Sequence, residues 1–102
     1  MTLLEYADLL ETTTREQCQA GFMTPEGTCC AVGLAILAVD PNVYCVHWIP
    51  PKLQPVIDPL LREFIKVCGT NVFTLNDLEC LTFKQIAALI RAKLKEKDDV
   101  GF

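Results

Sequence analysis

The stretch Thr28-Cys29-Cys30-Ala31-Val32-Gly33-Leu34-Ala35-Ile36-Leu37-Ala38-Val39 decides the fold, because no position after Thr28 carries a charge or a side-chain amide. A helix built from it is apolar on every face, and such a helix belongs inside a bundle. At about 1.5 Å per residue it is roughly 17 Å long, well short of the ~30 Å hydrocarbon core of a bilayer. The sequence therefore predicts a buried central helix over 29–39, not a membrane span. Thr28 is placed to act as its N-cap, and Asp40-Pro41 stops it, since a proline ring disfavours helix at the residue before it. Gly33 inside so apolar a helix costs ~1 kcal/mol relative to alanine, which points to close approach of another backbone.

The flanking segments have to wrap this helix. Upstream, Thr2-Leu3-Leu4-Glu5 matches a capping box and opens a helix over 3–12, with Leu3, Leu4, Ala7 and Leu10 on one face. Thr14-Arg15-Glu16-Gln17 repeats that spacing and suggests a short second turn ending near Gly21. Thr24-Pro25-Glu26-Gly27 has proline and glycine where a type I turn favours them, and a small hairpin around it is conceivable.

Downstream, Val43 to Ile49 is β-branched and aromatic, either a short strand or one helical turn. Asp58-Pro59 reads as an N-cap followed by proline at the first helical position. It opens a helix over 59–68, with Leu61, Phe64, Ile65 and Cys68 inward and Gly69 just past the end. Val72-Phe73-Thr74 could form a second short strand, and Asn76-Asp77-Leu78-Glu79 offers another N-cap. Thr82 with Gln85 forms a capping box, opening a helix over 83–96 whose apolar stripe is Phe83, Ile86, Ala87, Ile90 and Leu94. Residues 98–102 form a frayed tail. The whole is a mainly α, single-domain helical bundle over 1–102, with at most a minor two-stranded β element.

Composition narrows the function classes. A chain of 102 residues that is 51% hydrophobic and 22% charged can bury a core without staples. A net charge of -4 argues against general attraction to nucleic-acid phosphates or anionic lipid. The start Met1-Thr2-Leu3-Leu4-Glu5 lacks a basic and then apolar leader, so the expected location is the cytoplasm. In a reducing compartment most of the cysteines at 18, 29, 30, 45, 68 and 80 read as small buried hydrophobes rather than a disulfide framework. Cys29 and Cys30 are vicinal and the others lie far apart, which does not suit a zinc site, and no phosphate loop or other cofactor motif is present.

The run Gly27-x-Cys29-Cys30-Ala31-Val32-Gly33, followed by Leu75-Asn76-Asp77 and then Thr82-Phe83-x-x-Ile86-Ala87-x-x-Ile90, resembles small bacterial and bacteriophage proteins of unknown function. Those proteins carry a Cys-Cys helix with a glycine, a later Asn-Asp and a closing Phe-x-x-Ile-Ala helix. Gln17 or Gln19 corresponds to a glutamine that often precedes the first motif in them. The resemblance spans about residues 15–90 and implies a fold and a bacterial or phage setting, not an activity.

Two function classes follow. One is a small accessory or regulatory module, in a bacterial or phage-infected cell, that binds another protein or a second copy of itself through Tyr44, Trp48 and Ile49. Aromatic anchors on a segment stiffened by Pro50 and Pro51 lose little entropy on docking. The alternative is a cysteine-nucleophile hydrolase or transferase, with Cys29 or Cys30 at a helix N-terminus, His47 as base and Asp77 as a further candidate catalytic residue. The order glutamine, cysteine, histidine, Asn/Asp resembles papain-like cysteine hydrolases, but the tryptophan that follows their nucleophile is absent here.

Overall fold

A computed structural model describes residues 1–19, 24, 27–43 and 48–100, the last four through their backbone only. The central helix α2 spans Ala31–Val39, and every residue from Ala31 to Ile36 is buried. Only its C-terminal end reaches solvent, at Ala38. It starts two residues later than expected, because Cys29 is held in an extended pairing and Cys30, not Thr28, is the N-cap. Asp40 closes it, with its amide donating to the Ile36 carbonyl.

Helix α1, Leu3–Thr12, has the expected capping box, in which Thr2 Oγ1 accepts from the Glu5 amide and Glu5 returns the bond to the Thr2 amide. Its buried face is Leu3, Tyr6, Ala7 and Leu10, a clean i, i+3, i+4, i+7 stripe, while Leu4 is exposed. The inward reading of Leu4 is thereby corrected. Tyr6 takes the place because a ring buried at that point can also reach α2 with its hydroxyl.

Helix α3 spans Gln54–Cys68 and follows a 3-10 turn at Pro51–Leu53. It starts well before Pro59, so Asp58 is not its N-cap and Pro59 lies inside the helix. The apolar stripe explains this: Leu53, Ile57, Leu60 and Phe64 are buried at helical spacing across both prolines. Pro55 sits in the first turn, where its missing N–H costs nothing. Pro59 removes only the bond to the Pro55 carbonyl, and both prolines lie on the exposed face of the helix. Ile65 falls outside the stripe and is exposed, against expectation. Gly69 ends the helix with φ +76°, its amide donating to the Ile65 carbonyl.

Residues 72–78 are helical, not a strand. Val72 and Phe73 begin the segment, and Thr74–Leu78 widens into a π turn, with the Glu79 amide donating to the Thr74 carbonyl at 3.0 Å. Asn71 caps it by accepting from the Thr74 amide at 2.8 Å, so Asn76 lies inside this turn rather than at its start. Cys80, in the left-handed region at φ +53°, turns the chain out of it.

Helix α4, Phe83–Val100, buries Phe83, Ile86, Ala87 and Ile90 as expected and continues past residue 96. Its Thr82–Gln85 capping box is present in both directions. It packs along α1, and Arg91 reaches both Asp8 and Glu11 on that helix. A half-buried arginine of α4 thus meets two acidic side chains of α1.

Among the described residues there is no strand, and β pairing is limited to one isolated parallel bridge between Gln17 and Cys29. The segment around Gln17 is therefore extended, not the helical turn suggested by its capping-box spacing. The turn expected at Thr24–Gly27 is marked by the Gly27 amide donating to the Thr24 carbonyl, with Gly27 at φ +92°. Val43 to Ile49 falls largely on residues outside the described set.

Candidate functional site

Of the residues singled out by the sequence, Gln17, Cys29, Cys30, Asn76 and Asp77 meet at the N-terminal end of α2. There the Cys29 amide donates to the Glu16 carbonyl at 3.0 Å, and the Cys18 amide donates to the Cys29 carbonyl at 2.9 Å. In a parallel ladder the next bond would run from the Ala31 amide to the Cys18 carbonyl. Asn76 occupies that rung instead. Its Oδ1 accepts from the Ala31 amide at 3.1 Å, while its Nδ2 donates to the Cys18 carbonyl at 2.9 Å. A side-chain carboxamide, with one acceptor and one donor in fixed relation, substitutes for a peptide group and lets the backbone leave the ladder and enter the helix.

The other two bonding positions of Asn76 are also taken. Its Oδ1 accepts from Gln17 Nε2 at 2.8 Å, and its Nδ2 donates to Asp77 Oδ1 at 2.7 Å. The carboxamide thus uses its full capacity, which fits its being the only buried polar residue of the core, at 1% exposure, among the described residues. Gln17 repeats the device at α4. Its Oε1 accepts from the Phe83 amide at 2.9 Å, and its Nε2 donates to the Leu81 carbonyl at 2.7 Å. Each carboxamide satisfies the first orphan amide of a helix, and the two are bonded to each other.

Around this junction the cysteines are packed, not presented. Cys29 and Cys30 are buried at 0% and 2% exposure. Burial, with the neighbouring Cys30 thiol second, pushes Cys29 up to about 11. Burial also pushes Cys30 up to about 11, although the amides of Gly33 and Val32 pull the other way, and Asp77 adds to the rise. Cys30 Sγ accepts from the Gly33 amide at 3.4 Å, which is the thiol's work as a helix cap. Tyr6 lies beside them, fully buried, and its hydroxyl donates to the Ala31 carbonyl at 2.6 Å. Burial raises its phenol well above the usual range.

A nucleophile at a helix N-terminus needs a depressed pKa and an open approach, and both thiols have the opposite. Asp77, the further candidate catalytic residue, disfavours a Cys30 thiolate. His47 lies outside the described residues. Gln19 is exposed, away from the junction that Gln17 enters. Gly33 is buried and contributes its amide to the cap. Among the described residues no cluster of three or more histidine, cysteine or acidic side chains is placed to hold a metal ion, and no helix is long and apolar enough to cross a membrane.

Of the expected interface residues, Tyr44 lies outside the described set. Ile49 is half-buried and packed against the core, while Trp48 is 63% exposed. A second apolar surface, which sequence reasoning missed, is a groove of about 430 Å³ lined by Met1, Leu4, Pro59, Leu60 and Leu94. The exposure of Leu4, hidden by reading it into the core, was the signal for it.

Comparisons with protein-family models, with curated proteins and with solved structures give no match for this chain.

Proposed function

We propose that the chain is a small helical accessory or regulatory module that works by binding a protein, in a bacterial or phage-infected cell. The observation that carries this reading is Trp48: a tryptophan 63% exposed, directly followed by Ile49 anchored in the core and by Pro50-Pro51. A large indole on a segment fixed at its next residue docks with little loss of conformational freedom, and tryptophan is enriched among binding hot spots. The polar junction of Gln17 and Asn76 supports the same reading from the other side. Its donors and acceptors are spent within the fold, so the chain's most elaborate polar cluster is a scaffold.

The cysteine-nucleophile alternative draws no support from buried thiols whose pKa values are raised. The two classes separate on one substitution. Trp48→Ser is expected to leave the free energy of urea unfolding nearly unchanged, within about 0.5 kcal/mol, because the side chain lies mostly in solvent. It is also expected to weaken association, read as the concentration dependence of the sedimentation coefficient for self-association and as titration against a purified partner. A large stability loss with association unchanged would assign Trp48 to the core and remove the basis for this interface.

A further inference from the structure

We propose that Cys18 and Cys30 form an intrachain disulfide in response to a two-electron oxidant such as hydrogen peroxide, tying the N-terminal end of α2 to the extended segment before it. Both are reduced in this structure. The pairing follows from register. Gln17 and Cys29 are the bridged pair, so the residues that follow each of them, Cys18 and Cys30, are the next neighbours across the two segments. Side chains alternate along extended backbone, and Cys30 still has extended angles, φ -84° and ψ 177°. The Cys18 and Cys30 side chains therefore lie on one face, and that of Cys29 lies on the other beside Gln17. Neighbouring strands run about 4.8 Å apart, within the range of about 4.4–6.8 Å between Cα atoms that a disulfide accepts. A vicinal Cys29–Cys30 bridge is disfavoured, because both backbone groups of Cys29 are held in the ladder.

The accessibilities set the order of events. Cys18 is half-buried and Cys30 buried, so peroxide meets Cys18 first. The Cys18 sulfur attacks peroxide, the O–O bond breaks, and sulfenic acid and one water form. The Cys30 sulfur then displaces hydroxide from that sulfenic acid. Its own thiol proton completes a second water, and the S–S bond closes. Two thiols are oxidised and one peroxide is reduced to two waters. Burial keeps Cys30 from meeting peroxide first, and its place across the ladder from Cys18 makes it the resolving thiol.

The test uses the full chain with Cys45→Ser as background, oxidised by hydrogen peroxide after removal of reductant. Intact mass is expected to fall by two hydrogens. Non-reducing digestion after Lys, Arg and Glu should link the peptide Gln17–Glu26 to the peptide starting at Gly27. The link should survive Cys29→Ser and vanish in Cys18→Ser and Cys30→Ser. Serine is itself a good N-cap, so Cys30→Ser keeps α2 in place, and circular dichroism checks that it does. Closing this loop should raise the thermal midpoint by on the order of 10 °C, reversibly with dithiothreitol. A link that persists in Cys30→Ser, a link lost in Cys29→Ser, or native protein that keeps both hydrogens while Cys80 becomes oxidised would each overturn the proposal.

Discussion

Gln17 and Asn76 lie 59 positions apart in the chain, yet their carboxamides share a hydrogen bond of 2.8 Å, and each also caps the first amide of a helix. This contact ties the N-terminal end of α2 to that of α4. Removing either side chain leaves amides and carbonyls without their partners, and around Asn76 these lie where water has little access. Asn76→Ala strands the Ala31 amide, the Cys18 carbonyl and one donor of Gln17, at a cost of about 2–4 kcal/mol. Gln17→Ala, at a half-buried site that admits water, should cost less, about 1–2 kcal/mol. Urea unfolding of both single variants and the double variant measures this. If the pair acts as one unit, the double variant loses less than the sum of the two single losses.

Tyr6 bonds the Ala31 carbonyl at the same helix end. Tyr6→Phe keeps the ring and its packing and removes only the hydroxyl. The Ala31 carbonyl retains its intrahelical role, so the expected loss is about 1 kcal/mol, near the ordinary net value of a buried hydrogen bond. A loss several times larger would mean that α2 depends on this bond for its position rather than for added stability.

The sequence carried most of the fold in its caps and its apolar spacing. The Thr2–Glu5 and Thr82–Gln85 boxes, the Gly69 stop and the unbroken apolar run of α2 are local signals, and each places an element. The start of α3 was hidden because Pro59 is a stronger local signal than the stripe Leu53, Ile57, Leu60 and Phe64 that overrides it. Val72 to Thr74 has strand composition but winds into a helical turn, since Asn71 caps it and Asn76 must point at α2. Gln17 and Asn76 could be singled out by resemblance, but their pairing depends on tertiary closure. No periodicity within either segment announces it.

Cys80 is the only non-glycine residue with positive φ among those described, at +53°. An L-residue held there costs roughly 1 kcal/mol, and the thiol offers little in return, a weak bond of 3.7 Å to the Asp77 carbonyl. Cys80→Gly should therefore stabilise the protein by about 0.5 kcal/mol, the relief of strain being partly offset by the freer unfolded chain. The midpoint of thermal unfolding reports the sign. A lower midpoint would show that the thiol contributes more than its geometry suggests.

Cys29 and Cys30 hold their protons up to about pH 11 in the fold, against an ordinary value near 9, and Tyr6 is raised further from its own ordinary value near 10. Unfolding therefore releases protons once the pH exceeds about 9, because the exposed thiols ionise where the buried ones do not. The stability these groups contribute is complete below that point and is lost as pH rises toward 11. Urea midpoints are expected to be flat between about pH 6 and 8 and to fall steeply from about pH 9 upward. Cys30→Ser should flatten part of that fall without abolishing it, since Cys29 and Tyr6 remain. The same burial predicts that a thiol reagent at neutral pH modifies Cys80 quickly and Cys29 and Cys30 only as fast as the chain opens. Rapid labelling of Cys29 or Cys30 in the folded protein, with a rate that responds to substitution of His47, would contradict both expectations and favour the nucleophile alternative.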